Sequence, residues 1–185
     1  MDLDTDVNGA ALGELVAGAA QGCSDFVYLT VGTGIGGGAV TGGRVVRGAM
    51  HPEMGHVTVM RHPAEPSGFE GCCPFHRGCL EGLASGEALR ERWGCAAEDL
   101  PPGHLAWELE AFYLAQACRT LACILSPRLI LLGGGVMAAA GLLEKTRAET
   151  ARLLNGYIDT PTIEQPALEF PGLIGAMEMA RRIVL

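Results

Sequence analysis

Hydrophobic and polar positions along the chain change period several times, and each change marks an element. Small and apolar residues over 10–20 predict a short helix, and Phe26–Val31 is a β-rich run ending at a glycine-dense turn. Residues 36–40 run on to a turn at Thr41-Gly42-Gly43-Arg44, where paired glycines supply the positive φ angles of a tight hairpin, and Val45-Val46 returns. Together these runs predict a β-meander. From residue 50 to 82 the chain is rich in Pro, Gly, His and Cys without periodicity; a loop of that length in a compact domain is normally functional or held by a metal. Ser85, followed by Gly86 and Glu87, opens a predicted helix to residue 93. After a break at Pro101-Pro102-Gly103, a long helix is expected over 104–125. Leu105, Leu109 and Phe112 stand at helical spacing there, Leu114, Leu121 and Leu125 thicken the apolar face, and Ser126-Pro127 ends it. Leu129-Ile130-Leu131-Leu132 is an unbroken apolar run of buried-strand length. It leads into Gly133-Gly134-Gly135 and a helix over 138–154, an order suggestive of nucleotide. Leu168-Glu169-Phe170 is expected as a last strand and residues 173–184 as a closing helix, with no repeats and no low-complexity tract.

With 185 residues, 49% of them hydrophobic, the chain can bury the core of one α/β domain with an irregular insertion. A formal net charge of -8 without any Lys/Arg run argues against a nucleic-acid or anionic-membrane surface and for a small-molecule partner. No apolar run reaches membrane-spanning length, and Met1-Asp2-Leu3-Asp4 is acidic where a secretory signal is basic, so a cytoplasmic location is expected. Seven Cys is an odd number, and Cys23, Cys118 and Cys123 fall in apolar helical or turn segments where a buried thiol acts as a small hydrophobe; no disulfide framework is expected.

Chemistry concentrates in the irregular loop. Zinc takes four tetrahedral N and S ligands, and Cys73, His76 and Cys79 offer three on one tight turn while His56 can return from upstream. Cys72 could replace Cys73. Four protein ligands leave no open coordination position, so this zinc would be structural. The competing reading makes Cys72 and Cys73 ordinary loop thiols and His56 a hydrogen-bonded core residue. Glu53 and Glu81 beside the cluster read as sugar-binding carboxylates. Thr33 and Gly34 lie in a glycine turn after a strand, where backbone N–H groups and a hydroxyl can approach a phosphate, although such turns are more often plain hairpins. Gly133-Gly134-Gly135 after the buried strand adds the second glycine turn that a nucleotide cleft requires, or else simply lets a helix pack closely. Asp6, with Asn8 two residues on, is either a helix N-cap or a carboxylate at the cleft mouth that takes a proton from a sugar hydroxyl. His51, His62 and His104 are assigned to surface or loop positions.

Together these residues resemble the ROK family of sugar kinases and repressors, and within it the bacterial fructokinase branch. Residues 4–14, Asp-Thr-Asp-Val-Asn-Gly-Ala-Ala-Leu-Gly-Glu, are similar to the family's catalytic-aspartate segment, which implies that Asp6 is the general base and Asn8 a substrate contact. His51-Pro52-Glu53-Met54-Gly55-His56 resembles the Glu-x-Gly-His motif, in which the Glu binds sugar hydroxyls and the His is a zinc ligand near the substrate. The run from Cys73 to Gly86 resembles the fructokinase clasp, with Glu81 as a second sugar-binding carboxylate. Thr33 and Gly34 match the second phosphate motif, and Gly133, Gly134, Gly135, Val136 and Met137 the adenosine motif.

The resemblance implies the actin-like, RNase H-like ATPase fold, with this chain as its C-terminal lobe and a zinc-stapled loop inserted. It further implies ATP-dependent phosphorylation of fructose with magnesium, structural zinc, and a homodimer in the full-length form. There are two departures. Glu87 stands where fructokinases place Pro near the nucleotide, and no counterpart of the first phosphate motif, an Asp-x-Gly-Gly-Thr-Lys-like turn of the N-terminal lobe, occurs in the 185 residues. The isolated chain is therefore expected to have little activity. A non-catalytic ROK remnant, acting as a zinc-stabilised sugar-sensing or interaction module, and a glucose or N-acetylmannosamine kinase are the rival readings.

Overall fold

The computed structural model describes residues 4–184. A five-stranded mixed sheet in the order β3-β2-β1-β4-β5 runs through it. Strand β1 (Phe26–Val31) pairs antiparallel with β2 (Ile35–Thr41) and parallel with β4 (Leu129–Gly133); β2 turns into the short β3 (Arg44–Val45), and β4 pairs parallel with β5 (Thr162–Glu164). The meander is as expected.

The two central strands are apolar throughout because both faces of the sheet are covered. Val27, Leu29 and Val31, with Ile130 and Leu132, face a core completed by Leu80, Leu83, Leu109, Tyr113 and Leu114. Those partners come from helices α2 (Leu80–Ala84) and α4 (Ala106–Leu125). The alternate positions Phe26, Tyr28, Leu129 and Leu131 face Ala10 and Ala11 of helix α1 (Asp6–Ala17). One period-2 pattern thus feeds two cores.

Strand β2 is Ile-Gly-Gly-Gly-Ala-Val-Thr, and its glycines have a steric reason. A Cβ at Gly36 would lie 2.8 Å from Val7 Cγ1, and one at Gly38 2.7 Å from the Val7 carbonyl oxygen, so α1 lies directly on the bare backbone. On the other face, a Cβ at Gly37 would come 2.7 Å from Met54 Sδ, in the 3-10 turn Met54–His56. A residue with no side chain lets two neighbours sit closer than any other residue would allow.

Helix ends follow their residues. Thr5 caps α1 by accepting the Asn8 N–H at 3.2 Å, so the cap is one residue before Asp6. Ser85 caps α3 (Gly86–Trp93), which closes on Gly94 at φ 75°, and α4 stops at a left-handed Ser126 before Pro127. Helix α5 (Leu142–Leu154) starts later than the expected residue 138, because a 3-10 turn over Gly135–Ala138 comes first and Gly141 takes φ 78° at its start.

Three expectations are corrected. Leu168-Glu169-Phe170 is not a strand. The N–H groups of Ala167 and Leu168 donate to the buried Glu14 carboxylate at 3.1 and 2.9 Å, which bends the chain away from the sheet, and the edge strand is instead Thr162–Glu164. Cys123 is exposed on α4 and Cys23 is half-buried; of the three thiols read as small hydrophobes only Cys118 is in the core. Helix α1 begins at Asp6, four residues before the apolar run that announced it.

Helix α6 (Pro171–Val184) lies across α1 on a seam of glycines. A Cβ at Gly13 would run into the Pro171 carbonyl, and one at Gly175 into the Gly9 carbonyl. Overpacking a helix contact with no flexible side chain to yield costs about 1–3 kcal/mol. Gly175→Ala is expected to lower the thermal unfolding midpoint measurably, while Gly103→Ala, where a Cβ meets nothing within 4 Å, leaves it within a degree or so on the order expected for surface changes.

Candidate metal clasp and nucleotide cleft

His56 ends the 3-10 turn that sits against Gly37. Directly after it the chain is tied to the clasp: Thr58 bridges Cys79, and the Leu80 N–H donates to the Val57 carbonyl at 2.9 Å. Cys73 opens a tight turn closed by the Arg77 N–H on the Cys73 carbonyl at 3.0 Å, with Arg77 itself at φ 52°. Cys79 caps α2, its Sγ taking the Gly82 N–H at 3.4 Å.

These local choices bring one ligand atom each from His56, Cys73, His76 and Cys79 within 4.8 Å of one another. His56 Nδ1 is 3.7 Å from Cys73 Sγ and 3.6 Å from Cys79 Sγ, and His76 Nδ1 is 3.8 Å from Cys73 Sγ. A tetrahedral zinc with Zn–S of about 2.3 Å and Zn–N of about 2.0–2.1 Å sets S···N edges of about 3.5 Å, so the four residues fit the ion. Cys72 turns the other way, toward Ser85 Oγ at 3.6 Å, which resolves the choice between the adjacent thiols for Cys73. Both clasp sulfurs are buried while His76 is exposed. Burial pushes the Cys79 thiol up to about 11, with neighbouring Cys73 and Glu81 adding to the shift; a bound cation reverses that balance and takes the sulfur as thiolate.

Glu81, on the first turn of α2, reaches from the clasp to the sheet. Its Oε2 accepts the Ile35 N–H at 3.0 Å, and its Oε1 lies 3.9 Å from Nε2 of His56, the nitrogen facing away from the clasp. Glu53 is exposed and accepts from His51 at 2.8 Å. Asp6 is exposed at the first turn of α1, and its Oδ1 takes the Val7 N–H at 2.9 Å. Asn8 is fully buried and its amide donates to Asp4 Oδ1 at 2.7 Å. That bond ties Asn8, the residue the resemblance assigns to the substrate, to the segment before Asp6. Burial pushes the Asp4 carboxyl up, but hydrogen bonds from Asn8 and the Thr5 N–H, with Arg47 alongside, hold it below the usual carboxylate range.

A cleft of about 780 Å³ opens beyond the ends of β1 and β4. Of the residues assigned to the nucleotide, Thr33, Gly135 and Val136 line it, and Gly34, Gly133, Gly134 and Met137 do not. Gly134 takes φ 93° and lies against the Val31 backbone, and Met137 is buried, with its carbonyl accepting from Gln165. They shape the wall from behind. Among the residues that sequence reasoning missed are Leu100, Pro102 and Trp107 on one side and Ala138 to Ala140 on the other; the run of three alanines after the glycine turn was the available signal. Glu87 and Arg90 pair at the rim, Nε to Oε2 at 3.1 Å. The glycine turn and α3 are one unit, since the Gly86 N–H donates to the Gly32 carbonyl at 2.7 Å and the Glu87 N–H to that of Thr33 at 3.3 Å.

A buried polar group also escaped the sequence. Arg92 pairs with Glu65 at 2.5 Å, donates to the Leu83 carbonyl at 2.7 Å and stacks over Phe69, while Tyr113 donates to Glu65, so the loop before the clasp is anchored to α3 and α4. Glu110 lies nearby, fully buried, and burial pushes its carboxyl well above the usual range.

The model of the ROK family matches residues 1–183. Among curated relatives, a fructokinase of Zymomonas mobilis is 46% identical over 97% of this chain and 62% of its own length, and a putative fructokinase of Bacillus subtilis 41% identical over 96% and 62%. The chain thus spans 62% of the length of these relatives. Among solved structures, a ROK hexokinase from Thermus thermophilus superposes with a TM-score of 0.82 at 33% identity, covering 97% of this chain and 66% of that one. A ROK glucokinase from Streptomyces griseus, in complex with glucose and AMPPNP, gives 0.77 at 28% identity, covering 97% and 68%. With its sheet, its clasp and its cleft laid out as above, the chain has the actin-like ATPase fold and belongs to the ROK family.

Proposed function

We propose that these residues form the C-terminal lobe of an ATP-dependent fructokinase that makes fructose 6-phosphate. The observation that carries the reading is the identity to curated fructokinases, 46% and 41% across nearly the whole chain, against 31% and 30% for curated glucokinases. Glu81 supports it, being a carboxylate fixed between the clasp and the start of β2 where a sugar hydroxyl can reach it.

In this reading magnesium enters with the ATP phosphates as part of the nucleotide substrate. Thr33 and Gly34 belong to the phosphate turn, and Gly133 to Met137 to the adenosine wall. Asn8, Glu53, His56 and Glu81 hold the sugar, and Asn8 also braces Asp4 at the α1 N-terminus. One Asp6 oxygen is occupied by the Val7 N–H, so Oδ2 is left to take the proton of the attacking hydroxyl as the γ-phosphoryl is transferred. Catalysis of this type is mostly positioning and electrostatics, which is why so much of the chain serves to fix a few oxygens. Zinc would be held by His56, Cys73, His76 and Cys79; when bound it supplies a rigid cross-link and no chemistry, all four positions being protein ligands. The whole protein is read as a cytoplasmic homodimer with sugar and ATP as its ligands. The net charge of -8 supports the exclusion of nucleic-acid and membrane partners, and none of the described helices is long and apolar enough to cross a membrane.

In a coupled assay on the polypeptide in which these residues naturally occur, fructose is phosphorylated in preference to glucose and N-acetylmannosamine. Asp6→Asn lowers kcat about 10²–10⁴-fold with the fructose KM little changed; a preference for glucose, or an unchanged kcat in the variant, contradicts the reading. Elemental analysis finds one zinc per chain, and His76→Ala loses it together with several degrees of thermal stability. A metal-free native protein, or a variant as stable as its parent, removes zinc from the account.

A further inference from the structure

The glycine turn after β1 reads from sequence as a phosphate cradle, yet its last glycine lies off the nucleotide cleft and against a carboxylate. A Cβ at Gly34 would lie 2.6 Å from Glu81 Oε2 and 3.4 Å from its Cδ, with nothing else within 4 Å beyond its own chain neighbours. That oxygen is held by the N–H of the next residue, Ile35, at 3.0 Å. The other carboxylate oxygen is 3.9 Å from His56 Nε2, and His56 Nδ1 is one of the clasp atoms. Gly32, two residues earlier in the same turn, has open space where its Cβ would be, so the requirement belongs to position 34 and not to the turn as a whole.

We propose that Gly34 is a positioning residue for Glu81, and that through Glu81 it orients His56 in the metal clasp. The absent side chain leaves room for the carboxylate to sit on the Ile35 N–H with its second oxygen turned to the imidazole. At 3.9 Å the Glu81 oxygen is in ionic contact with His56 Nε2; a carboxylate partner on the distal nitrogen of a metal-ligating histidine orients the ring, and disturbing such a partner costs about 10–100-fold in metal affinity. The turn that walls the nucleotide cleft at Gly32 and Thr33 and the clasp some 40 residues on are thereby two ends of one side chain, on the order of a single glutamate's reach apart.

This inference rests on reading the clasp as a zinc site, and the two fail differently. The test is competition for Zn²⁺ between the protein and a chromophoric chelator, using the unaltered chain and the variants Gly34→Ala, Gly32→Ala, Glu81→Ala and the Gly34→Ala/Glu81→Ala double variant. Gly34→Ala is expected to weaken zinc binding tenfold or more, within the range of about 10–100-fold for such partners. Gly32→Ala should bind as the unaltered chain does, and in the Glu81→Ala background Gly34→Ala should have no further effect, because the group it displaces is gone. Should Gly34→Ala fail to fold, the double variant still decides, since it is expected to fold and bind as Glu81→Ala alone. Equal zinc affinity for Gly34→Ala and the unaltered chain overturns the inference. So does a loss that persists undiminished in the Glu81→Ala background, or a double variant that does not fold. An unaltered chain that binds no zinc overturns the clasp itself and this inference with it.

Discussion

The site depends on a strand that has given up its side chains. Residues 36 to 38 of β2 are glycines, and the space they vacate is occupied on both faces: by Val7 and Asn8 of α1 on one, by Met54 of the turn that carries His56 on the other. Glycine inside a strand costs about 0.5–1 kcal/mol each relative to alanine, so three in a row are a standing expense in stability. What they make possible is proximity. Asp6 at the start of α1, His56 at the end of the 3-10 turn and Glu81 on the Ile35 N–H all approach the same short stretch of backbone, each from a different element. A strand with ordinary side chains would hold those elements further from the sheet by the thickness of a side-chain layer and separate the carboxylates by as much.

A second constraint follows from the length of the loop between β3 and α2. A segment without regular ladders cannot order itself, since fixing each residue costs about 1–2 kcal/mol of backbone entropy and offers few hydrogen bonds in return. Two anchors offset that cost at different places. The ligand cluster of His56, Cys73, His76 and Cys79 draws in the two ends, and the buried Arg92, Glu65 and Tyr113 pin the middle to α3 and α4. Removing one member of such a buried charged group leaves the others unpaired in a dry environment, so the middle anchor depends on all three. Glu14 does for the far side of the sheet what Arg92 does for the loop: one buried carboxylate takes the N–H groups of Ala19, Ala167 and Leu168 and so fixes where α6 meets α1.

How much of this was legible in the sequence depended on how local the cause was. β1 and β4 were clear because burial on both faces makes a strand apolar at every position. The ends of α3 and α4 were clear because Ser85 and Ser126-Pro127 act within one turn. The clasp was clear from spacing alone, although the choice between Cys72 and Cys73 needed the contact of Cys72 with Ser85. Three residues of edge strand beside Pro161 carried too little pattern to find, and the expected strand at 168–170 failed because the N–H at its start, that of Leu168, answers to Glu14, more than a hundred residues away. Asn8 and Gly34 show the same limit within the site. The resemblance assigns one to the substrate and the other to the phosphates; only the packing shows that the Asn8 amide donates to Asp4 and that a Cβ at Gly34 would meet Glu81.

The most direct measurement is a crystal structure of the zinc-loaded protein with fructose bound. The account predicts one zinc ion within about 2.0–2.3 Å of the four clasp atoms, and a sugar at the open end of β2 with hydroxyls in hydrogen-bond reach of both Asp6 and Glu81. A sugar bound elsewhere, or one that touches Glu81 while Asp6 stands beyond the reach of any hydroxyl, would contradict the claim that the bare strand exists to bring those groups to one place.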